Sequence, residues 1–183
     1  MLLTKKKTRV ILPYAGLPII ITAMFLIRAS NTDAFILLQR GLVIIFGYIA
    51  AVLDLKIKQI PNKLILAMFI AWVLVMTPKL FLDIDVAITL LKESALGFAV
   101  GGGLFLLVYL ISRKGLGGGD VKFMAAAGLY LGFHGTIPAM LYGTILAALV
   151  GLTLLALKKI NRKDKIPLAP FLYAGILITV FLQ

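Results

Sequence analysis

Two aspartates, Asp54 and Asp120, lie at the ends of strongly apolar segments of this 183-residue chain. A carboxylate in or beside a membrane is energetically costly, so aspartates in such positions are commonly functional. If the two carboxyls meet, neither can ionise freely beside the other, and the pair shares one proton. The ionised member can then take a proton from water while the protonated member donates to a carbonyl oxygen. This is the chemistry of aspartyl proteolysis.

Each aspartate also has a structural interpretation. Asp120 precedes an apolar segment and could be the N-cap of a helix, its side chain accepting hydrogen bonds from the first free N–H groups. Asp54 follows an apolar segment, where the negative end of the helix dipole disfavours a carboxylate. An ion pair with Lys56 or Lys58 would compensate for that position. The residue types alone therefore leave a catalytic pair and two structural carboxylates open.

The segments beside both aspartates are polar or glycine-rich. After Asp54, Pro61 and Asn62 break the chain, and Asn62 is predicted to cap the next helix. Lys122 stands two positions after Asp120, so on a helix it would point away from the carboxylate. Its alternative interpretation is a contact with lipid headgroups. The glycines before Asp120 have no side chain, so another backbone, such as that of an extended substrate, could approach closely. The glycines concerned are Gly117, Gly118 and Gly119.

The composition indicates an all-α, polytopic membrane protein. Hydrophobic residues make up 62% of the chain and charged residues 14%, whereas soluble domains are about 45–50% apolar and about 25% charged. Most of the apolar runs are near the roughly 17–25 residues that a spanning helix needs. We therefore predict seven transmembrane helices, at about 10–28, 36–53, 63–82, 94–112, 121–133, 136–157 and 166–182. Glycines spaced four apart, Gly97 with Gly101 and Gly128 with Gly132, indicate close helix packing.

The basic residues predict the orientation in the membrane. Fifteen of the nineteen Lys and Arg residues lie before the first apolar segment or after the second, fourth and sixth. Positive connections thus alternate with neutral ones, which indicates a cytoplasmic N-terminus and, with seven spans, an outer C-terminus. The net charge of +12 favours contact with membrane lipids. Nucleic acid is not a predicted partner, because the basic residues are dispersed over short connections without a binding motif.

The same topology sorts the remaining polar residues. Asp54 and Asp120 are predicted to share the cytoplasmic face, although they are 66 positions apart. The chain contains no cysteine, which excludes disulfides and thiolate metal sites. A turn from Gly132 to Gly135 is predicted to separate the fifth and sixth segments. The carboxylates on the outer side are expected to be solvated; they are Asp33, Asp83, Asp85 and Glu93.

Two sequence motifs resemble the signatures of the type IV prepilin peptidases, which are membrane aspartyl proteases of the GxGD type. Asp54 is followed after five residues by Ile60-Pro61-Asn62, and the second motif is Gly117-Gly118-Gly119-Asp120-Val121-Lys122. The closing stretch from Ile166 to Leu172 is similar to the family's Pro-rich stretch. The resemblance covers about residues 36 to 182. It implies a six-helix peptidase core over 36–183, preceded by a basic segment and an extra helix over 1–35.

The resemblance also implies a function. Asp54 and Asp120 would be the catalytic residues, with the glycines before Asp120, Pro61, Asn62 and Lys122 near the approaching substrate. The substrate would be a membrane-anchored prepilin-like precursor, cut behind its short basic leader at the cytoplasmic membrane of a bacterium or archaeon. No metal or organic cofactor is implied. The chain lacks the cysteine-bearing insertion of family members that also methylate, which favours a short, peptidase-only form of Tad, competence or archaeal flagellin systems.

Other classes of membrane protein remain alternatives. Presenilin-like enzymes share GxGD but pair it with Tyr-Asp, whereas Leu53 precedes Asp54 here. A small transporter would show repeated halves and polar groups near the middle of the bilayer. A non-enzymatic subunit of a secretion or pilus assembly would tolerate the loss of either aspartate. The sequence leaves the natural substrate, the oligomeric state and the acid and base roles of the aspartates open.

Overall fold

A computed structural model describes residues 33–112, 115–159 and 166–183, which form helices joined by short connections. Those residues contain no β-strand, so the predicted all-α class is confirmed for them. The predicted first helix, at 10–28, lies outside the described residues. The helices, in chain order, are α1 (Ala34–Ile57), α2 (Asn62–Leu82), α3 (Ile84–Ile111), α4 (Gly118–Ala156) and α5 (Ala169–Leu182).

The helices have the length and composition of membrane spans. Among the described residues, four helices, α1 to α4, are long and apolar enough to cross a bilayer, and the shorter α5 is also apolar. Their outward faces carry large apolar side chains, such as Leu74 and Leu107, that are more than half exposed. Such faces are stable in lipid rather than water. The chain is therefore a multi-pass membrane protein.

Helix α4 reverses direction at Gly132. This residue has φ 66° and ψ −176°, a backbone conformation that glycine adopts readily. A side chain built on Gly101 would contact both the Met124 carbonyl and the Thr136 methyl group. Twelve residues along one straight helix would lie about 18 Å apart, so Met124 and Thr136 must belong to two antiparallel segments. We call these the first arm, 118–131, and the second arm, 133–156.

The two arms correspond to the two apolar segments predicted at 121–133 and 136–157, although α4 is one run of helical residues. The described residues therefore contain six apolar helical segments, and the seventh predicted segment is the one outside them. The predicted four-residue turn from Gly132 to Gly135 is wrong in detail, because the chain turns at Gly132 and is helical again from Phe133. A positive φ at one glycine is enough to redirect the helix.

Helix α3 packs on the first arm through direct backbone contact. A Cβ atom on Gly97 would overlap the carbonyl of Gly128 and the backbone of Gly132, and one on Gly101 would overlap Met124. Small residues one turn apart allow this approach, so the predicted glycine packing is confirmed. This contact sets how far the first arm, and with it Asp120, extends towards one end of the bundle.

Glu93 is a correction to the sequence analysis. It was expected to be solvated, but it is half-buried and its Oε2 accepts a hydrogen bond of 3.3 Å from the Phe133 N–H. The reversal at Gly132 frees this N–H from helical pairing, and a buried N–H needs an acceptor. Beside it, the Gln183 side-chain amide donates to the His134 carbonyl at 3.1 Å. Glu93 therefore stabilises the end of the bundle where the arms meet.

Further charged residues share that end. Asp33 caps α1 by accepting from the Phe35 N–H at 3.1 Å, and it forms a 3.3 Å ion pair with Lys79 in the last turn of α2. The Phe35 N–H and then the Lys79 ammonium hold the pKa of Asp33 below its usual value. Asp83, exposed as predicted, caps α3 through the Val86 N–H at 3.2 Å. The opposite end of the bundle holds the C-terminus of α1 and the start of α4.

Candidate active site

Asp54 lies in the last turn of α1, which ends where Lys58 adopts a left-handed conformation with φ 52°. The Asp54 side chain is buried, with only 6% exposed. Its Oδ2 accepts a hydrogen bond of 3.0 Å from the Ala169 N–H, and the Leu168 N–H faces the same carboxyl group. The start of α5 therefore holds the Asp54 carboxyl group in place.

This arrangement explains how a carboxylate is stable at the C-terminus of α1. The negative end of the α1 dipole disfavours it, but the positive end of the α5 dipole and its free N–H groups oppose that effect. The sequence analysis missed Ala169, which is fully buried. Pro170 marks the beginning of a helix, since proline is favoured in the first turn. That signal could have identified this segment as a source of N–H donors.

Asp120 is the third residue of α4, not its N-cap. Gly117 is the N-cap residue, and its backbone N–H faces the Asp120 carboxyl group. This placement resembles one half of a capping box, in which the third helical residue reaches back to the N-cap N–H. The N-cap interpretation is therefore wrong by three positions. Helix α4 begins at Gly118 rather than near residue 121, because Gly118 and Gly119 adopt helical geometry.

Two of the glycines before Asp120, Gly117 and Gly119, lie close to other parts of the chain itself, and the predicted approach of a substrate stays a prediction. A Cβ atom on Gly117 would lie 2.7 Å from Asp120 Oδ2, and one on Gly119 would lie 3.2 Å from the Ile60 Cβ. A Cβ on Gly118 would meet nothing within 4 Å. Gly117 and Gly118 are exposed, so their backbone remains accessible from outside.

Asp54 and Asp120 lie in one pocket of about 330 Å³. Asp120 is 9% exposed, and the two carboxyls are near enough to interact electrostatically. The prediction that both aspartates meet at the same end of the bundle is therefore confirmed; their catalytic role stays a prediction. The pocket is lined by Asp54, Lys58, Gln59, Ile60, Asn62, Gly117, Gly118, Gly119 and Asp120.

The other predicted site residues lie beside the pocket in different roles. Asn62 lines it but does not cap α2; the N-cap is Pro61, which makes no side-chain hydrogen bond. Instead, Asn62 Oδ1 accepts a hydrogen bond of 2.9 Å from Lys122 Nζ. Lys122 therefore points to the start of α2, and its contact with lipid headgroups stays a prediction. Pro61 and Lys122 are not among the residues that line the pocket.

Part of the pocket wall, formed by Lys58, Gln59 and Ile60, was not predicted from the sequence. The connection after Asp54 was expected to be a polar hairpin, yet Ile60 is only 8% exposed and packs against Gly119. An apolar residue inside an otherwise polar connection was the available signal. The hairpin is therefore a wall of the site rather than a solvated link.

The pocket can support acid and base chemistry. Its volume falls within the range of about 300–1,000 Å³ that is usual for ligand pockets. Two carboxyls that share a proton can both accept a proton from water and donate one to a substrate oxygen. Across the described parts of the chain, no three His, Asp or Glu side chains form a group that could hold a metal ion.

Known proteins match the part of the chain that contains this site. The sequence profile of the type IV leader peptidase family matches residues 41–152. The chain is 32% identical over 131 residues to a prepilin leader peptidase/N-methyltransferase of Legionella pneumophila, covering 70% of this chain and 44% of that protein. A Bacillus subtilis protein of the same name is 30% identical over 131 residues, covering 71% and 50% of the respective chains.

A third relative, from Xanthomonas campestris, has the same name and is 27% identical over 139 residues, or 72% of this chain and 46% of that protein. The chain thus spans about half the length of the curated relatives it matches. No solved structure matches it.

Proposed function

Because the chain belongs to the type IV leader peptidase family, we propose that it is a membrane-embedded aspartyl endopeptidase with Asp54 and Asp120 as its catalytic pair. One observation carries this proposal. The two carboxyls come from different helices, are both buried, and line the same pocket. Burial of two carboxyls together is unfavourable for stability unless they share a proton, and aspartyl proteolysis uses such a shared proton.

The proposed reaction is a hydrolysis. The ionised carboxyl takes a proton from a water molecule as the water oxygen attacks the scissile carbonyl carbon, and the protonated carboxyl donates to the carbonyl oxygen. The tetrahedral intermediate then loses the amine, which leaves with a proton from the pair, and the peptide C–N bond breaks. The Ala169 N–H, which donates to Asp54 Oδ2 at 3.0 Å, would orient this carboxyl group for both steps.

The proposed substrate is a prepilin-like precursor, in keeping with the name that the relatives carry. Its short basic leader would lie in the cytoplasm and its apolar helix in the membrane. The alternation of basic connections supports a position of the pocket at the cytoplasmic face of the cell membrane. The exposed backbone of Gly117 and Gly118 would allow an extended peptide to lie close to Asp120.

Only leader cleavage is proposed, because an aspartate pair supplies no methyl-transfer chemistry. The glycines before Asp120, together with Pro61, Asn62 and Lys122, are proposed to form the site around the pair. Nothing in the pocket favours a transporter over a peptidase. A non-enzymatic subunit of a pilus assembly makes a different prediction, since it would work without either aspartate.

The test is cleavage of a prepilin-like substrate in membranes by wild type, Asp54→Asn, Asp120→Asn and the matched control Asp85→Asn. Each change preserves side-chain shape and removes one carboxyl group. We expect Asp54→Asn and Asp120→Asn each to lower the cleavage rate by about 10²- to 10⁴-fold or more. Asp85, an exposed residue in the first turn of α3, should be replaceable without loss.

Folding of each variant is checked by its elution as a single species in detergent. Full activity of a folded Asp54→Asn or Asp120→Asn variant would overturn the catalytic pair. Absence of cleavage in wild type, together with normal pilus assembly in cells that carry either variant, would support a non-enzymatic subunit instead.

A further inference from the structure

Two contacts join the chain between the end of α1 and the start of α2 to the first turns of α4. Gly119 lies against Ile60, where a Cβ atom on the glycine would be 3.2 Å from the Ile60 Cβ and 3.4 Å from the Ile60 N and O atoms. One helical turn further, Lys122 Nζ donates to Asn62 Oδ1 at 2.9 Å. The two chain segments that meet along this line each carry one member of the aspartate pair.

The Lys122 hydrogen bond connects the site to α2. Buried residues of α2 are Met68, Trp72 and Met76, which lie on one stripe of the helix. Methionine side chains are flexible and adapt to their neighbours, so two of these three residues can follow a small shift of the helix. A hydrogen bond from the Tyr130 hydroxyl to the Met68 carbonyl joins the middle of α2 to the first arm. The Lys122–Asn62 bond joins the two at the end that carries the pocket.

From this geometry, and resting on the proposed function, we propose that Lys122 is a positioning residue. Its ammonium group, bound to Asn62, holds the start of α2 against the first turns of α4. Lys122 does not line the pocket, whereas Asn62 does, so Lys122 acts through Asn62 rather than on the substrate. Since Asp120 is two residues before Lys122 on the same helix, the bond sets the position of Asp120 relative to Asp54.

The kinetic test compares wild type with Lys122→Met, Asn62→Leu and the double variant, all assayed for leader cleavage. Both ends of the bond are exposed, so its loss should lower kcat by about three- to tenfold with KM changed less than twofold. The double variant should be no slower than the single variants, because one shared bond is lost only once. Lys122→Arg keeps a donor and should retain at least half of the wild-type kcat.

Three results would overturn the proposal: an unchanged kcat in Lys122→Met, losses that multiply in the double variant, or a rise in KM alone. The last result would indicate direct contact between Lys122 and the substrate. If Lys122→Met fails to fold, the comparison of Lys122→Gln with Lys122→Arg applies the same criteria, with the shorter neutral donor expected to be the slower of the two.

A cross-linking measurement tests the geometry without activity. The chain has no cysteine, so Ile60→Cys with Gly119→Cys creates one pair, whose Cβ separation of about 3.2 Å is close to the 3.5–4.5 Å of disulfides. We expect Lys122→Met to slow oxidation of this pair at least threefold, and Lys122→Arg not to slow it. Equal oxidation rates in all three backgrounds would overturn the positioning role. This readout remains valid if wild type cleaves no prepilin, so it separates failure of this inference from failure of the proposed function.

Discussion

The Ala169 backbone N–H donates a hydrogen bond of 3.0 Å to Asp54 Oδ2, joining residues 115 positions apart. This contact makes the start of α5 part of the candidate active site. Asp54 sits at the C-terminus of α1, where its own helix disfavours negative charge, and α5 supplies the opposing dipole and donors. The last membrane segment is thus required to orient a carboxyl group carried by the first described helix.

Removing the Ala169 N–H should impair catalysis. Ala169→Pro deletes this donor while placing proline in the first turn of a helix, where it is tolerated. A hydrogen bond to a charged group is worth about 1.5–3 kcal/mol, so we expect kcat/KM for leader cleavage to fall by about 10- to 100-fold. Ala169→Gly keeps the N–H and should lose less than about threefold. Equal activity of folded proline and glycine variants would show that this bond does not orient Asp54 for catalysis.

The glycine contact between α3 and the first arm predicts a difference in stability between two similar substitutions. A Cβ on Gly97 would overlap backbone atoms of Gly128 and Gly132, which cannot rotate away, whereas a Cβ on Gly103 would meet nothing within 4 Å. We expect Gly97→Ala to lower the free energy of unfolding by about 1–3 kcal/mol. Gly103→Ala should leave it unchanged or raise it slightly. Thermal unfolding in detergent measures both, and equal midpoints would contradict the observed packing.

The orientation of the chain is testable with reporter fusions in cells. Fusions after Leu55 and after Leu116 should report the cytoplasmic face, because the connections at these points carry the excess of Lys and Arg. Fusions after Asp83 and after His134 should report the outer face. If the Leu55 and Leu116 fusions report opposite faces, the two aspartates cannot share a pocket at one membrane surface.

The Asp33–Lys79 ion pair predicts a small pH dependence of stability at the other end of the bundle. The pKa of Asp33 is lowered in the folded protein, so its stabilisation is present above the unfolded-state pKa and disappears as pH falls through the folded-state pKa. Asp33→Asn keeps the helix cap and removes the charge. We expect it to lower the unfolding midpoint by about a degree or two at neutral pH, because exposed pairs contribute little.

This difference between wild type and Asp33→Asn should shrink below about pH 4 and in high salt. Lys79→Met should produce the same pH and salt dependence, since it removes the other half of the pair. A difference that persists at low pH would assign the effect of Asp33 to packing rather than charge.

Much of the fold was predictable because the bilayer imposes simple requirements. Each span needs a long apolar run, and each run that the structure describes is helical since backbone groups in lipid must pair within their own segment. The alternation of basic connections then placed Asp54 and Asp120 on one face, and the structure brings both to one pocket. The boundaries were less accurate: α4 starts at Gly118 rather than near 121, because the glycines there adopt helical geometry that sequence patterns assign to loops.

Composition, the lengths of the apolar runs and charge thus indicated from the sequence alone the class of protein, its apolar helical segments and the common face of the two aspartates, because these depend on solvent and neighbouring residues. Tertiary structure decided the contacts between segments distant along the chain. In the folded chain the Ala169 N–H donates a hydrogen bond to Asp54, and Lys122 donates one to Asn62. The Phe133 N–H, next to Gly132, donates one to Glu93. Such contacts depend on how helices cross and on which buried donors lack partners, and no local pattern of residues carries that information.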